Sequence, residues 1–433
     1  NGDTISDIER DKLHREIQRS QGAIQTVYQL DAMGRLLSQH AGKNAELIGP
    51  VQRRYQYDAV GNLRQTDDNR FGITQYQYDA LGRIEQAGAE RFAFDPAHNI
   101  IDRLDNNEIS EQSPNLHPIS GNRLQRYQGY EYEYDALGNL IKRTSPDGKR
   151  LFLSYDADNQ LTDAYIEQED GHTQQWRYRY DPFGRRISKT RIDARRGSHN
   201  HHRDFVWDGT KLLQEQSSEH RYTYIYRDEG SYEPLAQVQQ QFGFNEDEQF
   251  NPISVLYYHT DQIGIPRELT DANGELAWYG TYSAWGKLTE QSVLKPQLHQ
   301  PFRLQNQYCD DETGLHYNFF RYYDPECGRF TQQDPIGLKG GDNLYRFAAN
   351  TSNYIDPLGL LSIAACANPV NAAACAAAGI TVTRPVSSLM TTTTAAGAAA
   401  ATVTATCPGG KCPNSCPPCP NPRYPKGSLG YTG

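Results

Sequence analysis

The sequence predicts an all-β protein: β-hairpins strung one after another and paired edge to edge into a continuous sheet. Two observations carry this. A short phrase returns eight times between Leu30 and Leu213, in full or weakened form: an aromatic residue, Asp, two variable residues, Gly or Asn, one more, then Leu or Ile. Around it Tyr alternates with polar residues, as in Tyr130-Glu131-Tyr132-Glu133-Tyr134, a period of two that belongs to strands. Self-similarity of this kind fixes an architecture before any single element is assigned.

In chain order, strong copies are YDAVGNL at Tyr57–Leu63, YDALGRI at Tyr78–Ile84, YDALGNL at Tyr134–Leu140 and YDPFGRRI at Tyr180–Ile187. Weaker ones are LDAMGRL at Leu30–Leu36, FDPAHNI at Phe94–Ile100, YDADNQL at Tyr155–Leu161 and WDGTKLL at Trp207–Leu213. In Asp58-Ala59-Val60-Gly61 the Asp stands first in a turn and the Gly fourth. An Asp carboxylate accepts backbone N–H groups just downstream, and Gly tolerates positive φ. This is the pattern of a type I turn closed by a Gly bulge, and Leu63 then starts the return strand. Asp-to-Asp spacings of 27, 21 and 16 residues from Asp31 to Asp95, and of 21, 25 and 27 from Asp135 to Asp208, leave room for two strands per repeat.

Composition agrees. Hydrophobic residues make up 37% of the chain and mean hydropathy is −0.78, too polar for several compact cores. With 29 Tyr and 14 Phe the chain is too aromatic for disorder, and a broad sheet covered by amphipathic rings fits better. A net charge of −10 argues against nucleic acid as a partner of the chain as a whole. No signal-peptide pattern is visible at Asn1, and the chain reads as an excised piece of something longer. Composition breaks near Leu360. Residues 1–360 hold all 53 acidic residues and 39 of the 43 Lys and Arg, for a net −14, whereas residues 361–433 carry four cations and no carboxylate.

From Tyr257 the phrasing changes. YYHTDQIGIP at Tyr257–Pro266 is followed by LTDANG, YGTYSAWG and FRLQNQYCDDETGLHYNFFRYYDPECGRFTQQDPIGL at Phe302–Leu338, and the segment closes on DNLYRFAANTSNYIDPLGL at Asp342–Leu360. It contains two Asp-Pro-hydrophobic-Gly-Leu units, Asp334–Leu338 and Asp356–Leu360. Each Pro pushes its Asp towards extended geometry and each Gly permits a sharp turn. Two readings stand. Both Asp residues simply initiate turns; or, if the intervening NLYRF strand doubles back, the carboxylates meet, one pKa rises, one falls, and the pair provides an acid and a base.

The repeats resemble the YD, or Rhs (rearrangement hotspot), family, which includes bacterial Rhs toxins, the C components of insecticidal Tc complexes and the teneurins. The blocks after Tyr257 resemble the Rhs-associated core of its bacterial members. The resemblance covers roughly residues 25–360 and implies a sheet spiralling into a hollow cocoon, partial here for want of length, that encloses a C-terminal polypeptide. It implies three parts: a repeat shell at residues 1–256, a core that also plugs the shell at residues 257–360, and a variable region at residues 361–433. Members with this core cut their own chain after the DPxGL Leu by aspartyl chemistry. Carried over by motif, the dyad falls on Asp334 and Asp356, the supporting Arg on Arg321, and the scissile bond between Leu360 and Leu361. Such an enzyme turns over once, on itself, and requires no cofactor. The implied partners are the cleaved fragment held in the shell, a type VI-like delivery spike or chaperone, and a cognate immunity protein, with delivery into rival or host cells. A Tc-type C component and a non-enzymatic, Tyr-rich carbohydrate-binding surface remain the alternatives. The charge contrast between −14 and +4 adds an electrostatic means of retaining the fragment.

Residues 361–406 are rich in Ala and Thr and open to two readings, a membrane segment or a tether; Pro369, Gly379 and Gly397 favour the tether. Cys407, Cys412, Cys416 and Cys419 follow in CPGGKCPNSCPPCP. They are candidates for zinc or for two disulfides, but match no paired knuckle, and their Pro content suits an extended linker. His199, His201 and His202 read as a loop rather than a metal site.

Overall fold

The structure is a computed structural model, and it describes residues 4–43, 49–102, 119–193, 201–242, 253–295 and 298–364. Among the described residues there are strands, turns and one 3-10 helix, Gly337–Gly340, and no α-helix. None of these elements is a helix long and apolar enough to cross a membrane. The tail readings, including the four cysteines from Cys407 to Cys419, lie outside the described residues.

The strands form a meander in which every neighbour in the sheet is the neighbour in sequence. One run of nine strands extends from Asp7–Arg10 to Glu90–Arg91, and a second of fifteen from Arg126–Tyr127 to Leu288–Val293. The second run crosses residues 256 and 257 without a break: Pro234–Gln241 pairs with Ile253–Thr260. Architecture changes after Val293, where a four-stranded sheet, Tyr308–Asp310, Leu315–Asn318, Arg321–Asp324 and Arg329–Phe330, carries the core segment.

The hairpin loops have the predicted form. In YDAVGNL the Asp58 N–H donates to Asn62 O (2.9 Å) and Gly61 N–H to Asp58 O (3.1 Å), with Gly61 at φ 96 and the register shifting at Gln56/Tyr57. The Asp58 carboxylate caps its own loop: Oδ1 accepts from Val60 N–H (3.0 Å) and Asn62 N–H (2.8 Å). Its Oδ2 accepts from the Asn62 side chain (3.0 Å), and the equivalent pairing recurs with Arg35, Arg83, Asn99, Asn139 and Arg185. The position read as variable thus neutralises or satisfies the carboxylate. His98 (φ 62) and Asn159 (φ 58) replace Gly in two weaker copies. WDGTKLL departs from expectation: Asp208 pairs with Lys211 across a two-residue turn at Gly209-Thr210, because Gly stands one place after Asp instead of three.

In four copies of the phrase the Tyr ties the repeat to the one before, and Tyr226, outside the phrase, makes the same kind of bond. The hydroxyls of Tyr57, Tyr78, Tyr155, Tyr180 and Tyr226 donate to the carbonyls of Leu36, Leu63, Leu140, Leu161 and Leu212, at 2.7–3.0 Å. The meander also curls back on itself. Ala23 N–H donates to Ala272 O (2.9 Å), and buried ion pairs link Arg19 and Glu16 to Arg227 and Glu233, and Arg53 to Glu268. Because each strand is bonded only to its sequence neighbours within the sheet, contacts between its start and its end require the ribbon to spiral. A cavity of about 330 Å³, lined by Arg53, Tyr55, Asp261, Arg267 and Tyr282 among others, remains between the layers.

The core segment sits on the hairpin tips. Tyr345 donates to Gly138 O (2.8 Å), Asn350 to Gly82 O (2.8 Å), Asn343 to Ala97 O (2.9 Å) and Tyr317 to Gly184 O (3.3 Å). Buried charges reinforce the seat: Arg143 with Asp324 (2.8 Å), and Arg186 and Lys189 with Asp310 (2.5 and 3.0 Å). His202, expected in a loop, begins the strand His202–Asp208, and its ring bonds Thr190 and Asp204. Among the described residues no cluster of His, Cys, Asp and Glu is arranged to hold a metal.

Each Tyr rung is a part-buried hydrogen bond. Tyr155→Phe is therefore expected to cost about 1 kcal/mol in a urea titration, while Tyr165→Phe, on the exposed side of the sheet, costs nothing measurable.

Candidate active site

Both DPxGL units fold as variants of the wall's Asp-capped turn. Gly337 N–H donates to Asp334 O (2.9 Å) and Ile336 N–H to Asp334 Oδ1 (3.0 Å), with Gly337 at φ 60. Gly359 N–H donates to Asp356 O (3.3 Å) and Leu360 N–H to Asp356 Oδ1 (3.0 Å), with Gly359 at φ 66. The turn reading and the site reading of these aspartates are therefore compatible. No Asn or Arg four places on takes the second oxygen, since that place is occupied by Leu338 and Leu360, and the carboxylates face elsewhere.

They face Arg321. This residue opens the strand Arg321–Asp324, directly after the tight turn Phe319-Phe320, in which Phe319 has φ 60. Its Nη2 lies 3.1 Å from Asp334 Oδ2 and 3.6 Å from Asp356 Oδ2. Its Nε donates to Gly359 O, its Nη1 to Leu344 O (2.9 Å), and its guanidinium stacks 3.6 Å from the centre of the Phe330 ring. Arg321 and Asp356 are each 2% exposed and Asp334 8%. The segment expected to double back does so, through the Arg329–Arg346 bridge and Asp334 N–H to Leu344 O, although as an isolated bridge rather than a strand.

The junction expected to be cut lies against the same carboxylates. Asp356 Oδ1 also accepts from Leu361 N–H (3.3 Å), the nitrogen of the Leu360–Leu361 bond. On the carbonyl side the decisive residue is Gly340, which sequence reading passed over. A Cβ there would stand 2.1 Å from Asp334 Oδ2 and 2.9 Å from Leu360 O, so only the missing side chain lets the carboxylate and this carbonyl share the space. Gly359 is pressed as closely, with a Cβ 2.6 Å from Asn318 O, and Asn318 itself holds Asp356 O (2.8 Å). The double glycine at 340–341 was the available signal. Asn318 and Phe330 gave none.

Burial dominates the electrostatics. It raises both carboxyls above the ordinary range; Arg321 opposes this for each, and for Asp356 the Leu360 and Leu361 amides also oppose it while the Asp334 charge adds to the rise. Burial pulls Arg321 down to about 10, still cationic at neutral pH. Three ionisable groups thus share one enclosed space with a single positive charge, which favours protonation of one of the two carboxyls.

Comparison with known proteins agrees with this architecture. The family described as RHS protein matches residues 255–292, and that described as RHS Repeat matches residues 155–197. The double-stranded DNA deaminase toxin A of Burkholderia cenocepacia is 37% identical over 82% of this chain and 26% of its own length. The toxin protein Tse5 of Pseudomonas aeruginosa is 32% identical over 82% of this chain and 31% of its own. The chain belongs to the Rhs (YD-repeat) family. It spans about a quarter to a third of these two Rhs relatives. Among solved structures it is similar to the TcdB2–TccC3 complex (TM-score 0.57, 19% identity, 82% of this chain and 20% of that one) and to a Tc holotoxin pore of Photorhabdus luminescens (0.58, 18%, 82% and 19%). At that identity the likeness concerns the fold, and the spiralling hairpin sheet implied by the Rhs resemblance is the fold of this chain.

Removing the one cation tests the balance. Arg321→Met is expected to cost about 3–5 kcal/mol at neutral pH, because two buried carboxyls lose their partner. Both pKa values are raised in the fold and rise further without Arg321, so the loss shrinks as pH falls towards the unfolded carboxylate range and grows as pH rises through the folded values. Urea midpoints of the variant over a pH series give the slope.

Proposed function

We propose that this chain is the C-terminal part of an Rhs toxin shell that hydrolyses its own Leu360–Leu361 bond with Asp334, Asp356 and Arg321, separating residues 361 onward from the shell. The observation that carries the reading is the hydrogen bond at the bond itself, Leu361 N–H to Asp356 Oδ1, with the Asp334 carboxylate and the Leu360 carbonyl both crowding the bare face of Gly340. Asp356, which accepts two backbone N–H groups, is the ionised partner; it takes a proton from the attacking water and passes it to the Leu361 nitrogen. Asp334 is the protonated partner and donates to the Leu360 oxygen as charge develops there. Arg321 is a positioning residue: it fixes both carboxyls and, through Gly359 O, the backbone just before the cut.

In this reading residues up to Val293 are wall, so that the wall runs past the boundary expected at residue 256; the segment from there to Leu360 carries the protease and sits on the hairpin tips, and residues 361–433 begin the released chain. Release of a toxic segment into a rival or host cell is the function that the named toxin relatives support. A delivery spike and an immunity protein are the partners it calls for. A place in a Tc-type complex is the second reading, favoured by the fold shared with the TcdB2–TccC3 complex.

The purified chain is expected to run as two bands in SDS, the smaller starting at Leu361. Asp334→Asn and Asp356→Asn should each leave a single band, and Gly340→Ala should slow the split by displacing the Asp334 carboxylate, whose Oδ2 would stand 2.1 Å from the added Cβ. Two bands from both Asn variants would refute the assignment. Uncut chain refolded from urea should split with a bell-shaped pH dependence. Acid protonates Asp356, alkali takes the proton from Asp334, and burial places both limbs above the ordinary carboxylate range.

A further inference from the structure

Hydrolysis after Leu360 creates a new N-terminus, and the residues around it are already arranged as its binding site. The ladder formed by Tyr354–Ile355 and Ile363–Ala364 straddles the bond, one strand before it and one after, with Ile355 opposite Ile363 and Tyr354 opposite Ala364. Cutting the connecting chain removes none of these backbone pairings. Ile363 packs against the buried cluster of Ile263, Leu304, Tyr323, Phe330, Phe347 and Ile355, whereas Leu361 is 52% exposed. Asp356 offers what the end itself needs: Oδ1 already accepts the Leu361 N–H, and Oδ2 is buried with no hydrogen-bond donor.

We propose that after the cut Asp356 and the strand Tyr354–Ile355 hold the released chain by its first residues, the carboxylate taking the Leu361 α-ammonium and the strand taking Ile363–Ala364 by edge pairing. The inference rests on the cut proposed above. The ligand class is a free α-amino terminus followed by a short extended segment with an apolar third residue, as in Leu361-Ser362-Ile363. Water supplies OH to the Leu360 carbonyl carbon and H to the Leu361 nitrogen. At neutral pH the new acid loses its proton and the new amine gains one. One neutral N–H donor beside Asp356 thereby becomes an ammonium with three donors, enough to reach the oxygen that had none. Strand addition supplies main-chain bonds and Ile363 the side-chain anchor. The residue that takes part in the cut thus becomes the residue that keeps its product, and separation of the covalent chain is distinct from departure of the fragment.

The test uses the full chain after the split, as wild type and as Ile363→Asp, which leaves Asp334, Asp356 and Arg321 in place. Two readouts are taken by mass spectrometry: hydrogen exchange at the amides of residues 362–364, and the rate at which an acylating reagent modifies the Leu361 amine, relative to the same split chain in urea. In wild type the amides are expected to stay protected and the amine to react about ten-fold or more slowly than in urea; in the split fraction of Ile363→Asp both protections should be lost. A fully split wild type whose amides exchange at unfolded rates, or whose amine reacts as it does in urea, overturns the anchor and leaves the protease standing. An Ile363→Asp chain that keeps both protections also overturns it. A chain with no new end at Leu361 overturns the protease reading and the anchor together.

Discussion

The structure depends on one small interaction, an aspartate carboxylate that caps its own hairpin loop. With Oδ1 on the amides two and four residues downstream, the loop closes without help from distant residues and the next strand returns antiparallel. Because each cap is local, hairpins can be strung indefinitely, and the Tyr hydroxyl on the preceding repeat's carbonyl sets how one hairpin follows another. The same cap builds the DPxGL turns. Where Asn or Arg occupies the fourth place on, the second oxygen is satisfied within the loop; where Leu occupies it, the oxygen is left for Arg321. A wall motif is thus turned towards Arg321 where the local partner of its second oxygen is missing.

The wall and the core segment share one buried apolar cluster, with Leu140, Leu161 and Phe205 beside Phe302, Leu315 and Tyr322, and buried charges and hydroxyl groups are set into it. Arg186, 1% exposed, lies among the rings of Phe205, Tyr308 and Tyr317 and pairs with Asp310. Buried ion pairs of this kind add little net stability over a hydrophobic substitute, because desolvation offsets most of the attraction. They penalise misplacement heavily, since a slip of one position strands a charge. For a segment that brings Arg321, Asp334 and Asp356 together, that intolerance of misplacement is the useful property. It also explains the polar composition: Tyr rings and paired charges occupy positions that Leu and Ile would fill in a compact core.

Much of this was legible in the sequence. The hairpin loops, their positive-φ glycines and the bulge after each Tyr follow from Asp, Gly and the aromatic at fixed spacing, all interactions spanning a few residues. The loop at Asp11–Arg15 was missed because no aromatic precedes it, yet Asp11 caps it in the same way. The two-residue turn of WDGTKLL was misread because position was judged by likeness to the repeat rather than by where Gly falls. In the site, Asp334, Asp356 and Arg321 were named in advance by motif. Gly340 and Asn318 were not, because their roles are absences and close approaches that spacing does not express.

By itself the sequence determined the all-β class and the hairpin rhythm, and it singled out the three charged residues that the structure brings together, because each rests on contacts within a turn or on a motif written in a few consecutive letters. Only the tertiary structure decided that the two DPxGL loops meet over one guanidinium, that the Leu360 and Leu361 amides turn onto Asp356, and that the chain after the bond is already paired to the chain before it. Those facts come from the spiral returning on itself and seating the core on its hairpin tips. They couple residues tens to hundreds of positions apart, and no local rule carries that information.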